Sequence, residues 1–92
     1  MKIVECLWLD RFVDKLIGKH NAYPDEMEEV LSSDPTIRKV EKGDVKGANL
    51  YIAFGKTHGG RHLSVLFVRK KDQRALVISA RDMTSKERKK YG

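Results

Sequence analysis

One cysteine in 92 residues excludes an internal disulfide framework and a thiolate zinc site, and it suits a reducing compartment, so a cytoplasmic protein is expected. No apolar run approaches the roughly 20 residues that a membrane helix needs. The stretch from Met1 to Asp10 also lacks the long apolar centre and small-residue cleavage site of a signal peptide. No membrane partner is expected. Repeats, low-complexity tracts and linkers are missing as well, and a chain this short leaves room for one domain, residues 1–92. There is no phosphate-cradling glycine loop, no Cys-x-x-Cys pair and no Gly-x-Ser-x-Gly nucleophile turn. His20, His58 and His62 are too scattered for a zinc site, so neither metal nor cofactor is expected.

What is present is a balance of 40% hydrophobic and 35% charged residues, enough for a small core. The net charge of +6 is unevenly spread. Residues 1–35 carry four basic side chains against eight acidic ones, whereas residues 36–92 carry fifteen against five. A net +10 on the later part of the chain points to a polyanionic partner, although lysines that merely solvate strand edges and a helix face give the same total.

The hydrophobic spacing predicts an opening strand over Lys2 to Trp8, then a helix capped by Asp10 with Phe12, Val13, Leu16 and Ile17 on one face. Lys19 and His20 fall in its last turn, where cations are favoured by the helix dipole. A second helix starts near Pro24, places Asp25, Glu26, Glu28 and Glu29 early, buries Met27, Val30 and Leu31, and stops at Asp34 and Pro35. Strands follow over Thr36 to Glu41, Leu50 to Phe54, His62 to Arg69 and Arg74 to Ala80, with turns at Gly43 to Gly47, Thr57 to Gly60 and Lys70 to Gln73. The two most apolar runs, Leu63 to Val68 and Ala75 to Ala80, predict the middle of the sheet. Thr84 with Glu87 is a capping box that opens a basic helix running from Ser85 towards Tyr91. The expected fold is α+β: an antiparallel meander of about four strands, with the helices on one of its faces.

Arg, Lys, His and Tyr remain as the bearers of chemistry, and they suffice for metal-free RNA cleavage. A base takes the 2′-hydroxyl proton, cations stabilise the charge gathering on the phosphate, and an acid protonates the leaving 5′ oxygen. His serves as base or acid near neutral pH, and the planar fork of Arg matches phosphate oxygens.

The stretch Ile78-Ser79-Ala80-Arg81-Asp82-Met83-Thr84, followed by Glu87-Arg88 and Tyr91, resembles the C-terminal signature of the BrnT family, a group of RelE-like ribonuclease toxins encoded beside an antitoxin. Lys19-His20-Asn21 with Pro24-Asp25-Glu26 and Glu28-Glu29-Val30-Leu31 is similar to the family's basic-His turn and acidic second helix. Phe54-Gly55-Lys56-Thr57 and Gly60-Arg61-His62-Leu63 are similar to its central hairpin. The likeness runs over essentially the whole chain. It departs at Leu9, which separates Trp8 from an Asp that the family places directly after the Trp, and at Val13, where the family often has Asn.

The resemblance implies a RelE-like fold, RNA as substrate, and an antitoxin partner that covers the basic sheet surface and binds operator DNA. Catalysis would fall to His20, Arg81 and Tyr91, and RNA binding to Lys19, Arg61 and Arg88. Arg81 ends a central strand and would hold the scissile phosphate, unless it pairs with an acid of the second helix. His20 is base or acid, or a helix-end contact, and Lys19 is a phosphate anchor or a solvated cap residue. Arg61 sits beside a glycine pair at a hairpin tip, as suited to a phosphate as to no partner at all. Arg88 and Tyr91 share a helix face and would reach RNA together, Tyr91 stacking on a base or donating its hydroxyl; otherwise Tyr91 docks the helix and Arg88 meets a carboxylate. A non-catalytic module that binds nucleic acid or the antitoxin through the same basic surface is the alternative, and an apolar sheet edge would allow a homodimer.

Overall fold

The computed structural model describes residues 3, 5–40, 50–70 and 72–91. The elements run β1 (Glu5–Leu7), α1 (Asp10–His20), α2 (Pro24–Ser32), β2 (Thr36–Lys39), β3 (Leu50–Lys56), β4 (His62–Arg69), β5 (Arg74–Asp82) and α3 (Ser85–Tyr91). The expected turn at Gly43 to Gly47 lies outside the described residues, as do Lys2, Val4 and Glu41 at the ends of two expected strands.

The α+β class holds, but the sheet has five strands in the order β1-β5-β4-β3-β2 rather than about four. The added member is β1, which pairs in parallel with β5, Glu5 opposite Arg74 and Leu7 opposite Leu76, so the sheet is mixed and not purely antiparallel. Tight turns announce hairpin partners in a sequence; a pairing between the first strand and the last has no such local signal. β4 and β5 lie inside the sheet as their apolar runs predict.

Asp10 is the first residue of α1, not its cap: Leu9 holds the cap position in extended backbone with no side-chain hydrogen bond. At the other end Asn21 adopts the left-handed conformation, φ 51°, and its backbone N–H donates to the Ile17 carbonyl. At the start of α2, Pro24 fits the first turn, and the Glu26 carboxylate reaches back to accept from the Tyr23 N–H at 3.3 Å. The Thr84–Glu87 capping box forms as its spacing predicts, with bonds of 3.0 and 3.1 Å.

The core unites Leu16, Ala22, Met27, Val30 and Leu31 of the first two helices and their connection with Ala53, Leu63, Val65, Phe67, Ala75, Val77 and Ala80 of the sheet. α2 approaches β3 most closely at Gly55, where a Cβ would lie 3.0 Å from Val30 Cγ1 and 3.2 Å from Pro35 Cβ. α3 is not part of this layer. Phe54, Ser64 and Arg81 are register partners across β3, β4 and β5 and alternate with the core-facing residues. Glu87 bonds to Ser64 and Arg81, and Tyr91 stacks on Phe54, so α3 covers the second face of the sheet. The expectation of all helices on one face is corrected here: the Met83–Thr84 link carries the chain over the end of β5, and a helix with no buried residue needs no core to join.

One irregularity decides what the second face presents. Leu66 pairs with Ser79 but Phe67 with Val77, so Ile78 is an extra residue bulged out of β5. Strict alternation from core-facing Val77 would send Ser79 and Arg81 inward. The bulge reverses the parity, returning Ala80 to the core and turning Ser79 and Arg81 to the second face.

Candidate functional site

The second face carries a row of register partners, Arg81, Ser64 and Phe54, one on each of three adjacent strands. α3 lies over it. Arg81 forms a two-pronged ion pair with Glu87, Nη1 to Oε1 at 2.7 Å and Nη2 to Oε2 at 2.9 Å, and Nη1 also donates to the Asp82 carbonyl at 3.1 Å. The ordinary reading from sequence gave Arg81 an acid of the second helix; its partner belongs to the last helix instead. The Arg81 side chain stays 42% exposed while Glu87 is 20% exposed, so the guanidinium keeps an open side towards solvent. Glu87 accepts in addition from the Ser64 hydroxyl and the Thr84 N–H. The bonds from Arg81, reinforced by those others, hold its carboxyl down at about 2, so it is a fixed anion at neutral pH and too weak a base to take a hydroxyl proton.

His20, half-buried, lines a hollow of about 260 Å³ with Phe12, Lys15, Leu66, Ile78 and Ser79. Ser79 lies two residues before Arg81 on the same face of β5, so His20 and Arg81 border one continuous surface. The end of α1 that bears His20 is held by Arg61. Its Nη2 donates to the His20 carbonyl at 2.8 Å and its Nη1 to the Asn21 carbonyl at 2.7 Å, while Nε meets Asp82 Oδ1 at 2.7 Å and Nη1 meets Glu26 Oε1 at 3.0 Å. These bonds occupy most of the five N–H donors of a guanidinium, and the side chain is only 24% exposed. Its Asp82 bond, with the nearby charge of Arg61 and of His20, pulls the Asp82 carboxyl below its ordinary range. Gly60, at φ 90°, makes the turn that aims Arg61 back at the helix end.

The other expected residues are distributed along α3 and α1. Tyr91 stacks on Phe54 with ring centres 4.1 Å apart and planes 9° from parallel, and the Arg38 guanidinium lies 5.8 Å from its ring centre. Phe54 sits two strands from Arg81, roughly 10 Å at ordinary strand spacing, so Tyr91 and His20 lie at opposite ends of the row. Arg88 is exposed and forms no ion pair with another described residue; Lys19 is exposed and does not line the hollow at His20. The structure thus ties Arg81 to α3 and places His20 in a hollow that reaches Ser79, two residues from Arg81, without bringing Tyr91 to the same point.

Sequence reading missed Glu87 as the partner of Arg81, although it identified the same residue as a capping-box acid. It also missed Asp82 and Glu26 as partners of Arg61, which no local spacing announces. Cys6 is no hidden nucleophile: burial, with Glu28 and Glu5 nearby, pushes its thiol up to about 11. Among the described residues no group of three His, Cys, Asp or Glu side chains is placed to hold a metal ion, and no helix is long and apolar enough to cross a membrane.

No curated protein matches the chain. A family model does: residues 9–87 match the one described as "Ribonuclease toxin, BrnT, of type II toxin-antitoxin system".

Proposed function

The chain belongs to the BrnT family of ribonuclease toxins of type II toxin–antitoxin systems, and on that premise we propose that it cuts RNA without a metal ion, at the surface shared by His20 and Arg81. As a member of a type II system it has a cognate antitoxin. The further reading is that it acts in the cytoplasm on single-stranded or messenger RNA, halts translation, and is silenced when a DNA-binding antitoxin covers the second face.

The single observation that carries the chemistry is the hollow uniting His20 with Ser79, next to Arg81 on the same strand face. A phosphodiester laid there exposes its neighbouring 2′-hydroxyl to the imidazole. His20 takes the hydroxyl proton, the 2′ oxygen bonds to phosphorus, and the bond from phosphorus to the 5′ oxygen breaks. The 5′ oxygen takes a proton from solvent at this open face, leaving a cyclic phosphate. Arg81 turns part of its fork from Glu87 to the phosphate oxygens, which carry most charge as the bond breaks. Glu87 keeps the guanidinium aimed, and Arg61 acts as a positioning residue by clamping the carbonyls behind His20 rather than by contacting RNA. Lys19 and Arg88 add phosphate contacts on either side, and Tyr91, farther along the row, serves a neighbouring base.

Labelled single-stranded RNA incubated with the protein and EDTA tests this. Cutting that persists in EDTA and falls by at least about a hundredfold in Arg81→Ala, the scale on which a phosphate-stabilising donor acts, supports the mechanism. Salt-sensitive retention of RNA without cutting rejects it in favour of a binding module.

A further inference from the structure

We propose that the hollow between the start of β4 and α3 is a second phosphate subsite, which holds the RNA backbone one nucleotide away from the cleaved bond. The hollow measures about 390 Å³ and is lined by His62, Ser85, Arg88 and Lys89. It rests on the reading of this chain as a ribonuclease, but of its lining only Arg88 enters the chemistry above.

Three observations support the assignment. Ser85, Arg88 and Lys89 stand at helical spacings of three and four, so α3 turns all three towards one side. His62 lies two residues before Ser64 on the same face of β4, and Ser64 is the register partner of Arg81. Two residues along a strand advance roughly 7 Å, a step comparable to that between successive phosphates of an extended single strand. The nearby carboxylates are already engaged, Asp82 with Arg61 and Glu87 with Arg81. No described acid forms an ion pair with Arg88 or Lys89.

The lining chemistry selects the ligand class. Two cations, an imidazole and a hydroxyl offer donors to an oxyanion and no apolar anchor, whereas a protein segment docking there would need buried hydrophobic contacts at its centre. A phosphodiester needs only the donors. Cleavage at Arg81 would then require at least one further phosphate, and the chain would favour oligonucleotides over dinucleotides.

Binding of a fluorescent 2′-O-methyl RNA hexamer, which has no free 2′-hydroxyl to attack, reads the subsite independently of catalysis. Anisotropy titrations between 50 and 200 mM salt should show His62→Gln/Lys89→Ala binding about tenfold more weakly than the unaltered chain. The slope of log affinity against log salt should be shallower by about 0.7 for each phosphate that is no longer neutralised. Lys89→Ala alone, on an exposed helix position, guards against a folding defect and should show the same slope change. Unchanged affinity, or weaker affinity with an unchanged slope, overturns the subsite. So does a variant that binds RNA normally but no longer binds the antitoxin. An unaltered chain that binds the hexamer with the expected slope yet cleaves no ribose RNA would instead reject the nuclease mechanism and leave the subsite standing.

Discussion

Glu87 accepts from Arg81, Ser64 and Thr84 at once, and this concentration of donors gives the protein a defined response to acid. With its carboxyl lowered from 4.5 to about 2, the anion is favoured in the folded chain. Its contribution to stability is therefore complete above pH 4.5 and is lost as pH falls through about 2. Since Arg81 is 42% exposed, solvent screening reduces that contribution to about 1–2 kcal/mol. Glu87→Gln should be less stable than the unaltered chain by that amount at pH 7 in urea denaturation, and the gap should close between pH 4.5 and 2. A gap that stays constant with pH would mean that the loss comes from the cap of α3 and not from the ion pair. The candidate site residues were legible in the sequence only as types, His, Arg and Tyr near strand ends and helix ends. Their partners were not: Arg61 as a helix clamp and Arg81 as half of an ion pair depend on atoms brought together from distant parts of the chain.

Elements were legible wherever a local rule governs them. The Thr84–Glu87 box, Pro24 at a helix start and the apolar runs of β4 and β5 were all visible because propensity and spacing act over a few residues. The bulge at Ile78 was not, because nothing in Val77-Ile78-Ser79-Ala80 distinguishes an extra residue from one more step of alternation. Yet it determines which face Arg81 occupies. Deleting Ile78 should let β5 pair with β4 without the irregularity while Ser79 and Arg81 keep to the second face, because Ser79 then follows core-facing Val77 directly. The expected result is a cooperative thermal transition that is retained, read by circular dichroism. A variant that no longer melts cooperatively would show that the local twist of the bulge is itself needed to seat the neighbouring elements. At the end of α1, Arg61→Met should cost about 2–4 kcal/mol, because Asp82, Glu26 and two carbonyls lose a shared partner. Amide exchange should rise first over residues 17–22. Arg61→Lys should recover part of the loss only, having no planar fork to divide among four acceptors.

Taken as a whole, the molecule sets its acidic first third against a basic remainder, and β1 is the seam between them. It lies at an edge of the sheet, tied to α2 by the Trp8 indole donating to Glu28 at 3.3 Å. Removal of residues 1–8 should bare the β5 edge from Arg74 to Leu76 and promote self-association. Light scattering that rises with concentration would record it; a truncated chain that stays monomeric would show that α1 alone protects that edge. The parallel match of Glu5 with Arg74 also fixes an order of events during synthesis. On a ribosome the first strand has to wait for residues 74–76 to emerge before it meets its neighbour, and α3, with Glu87 and Arg88, emerges later still. The acid that steadies Arg81 is thus synthesised after the whole of the sheet on which it settles.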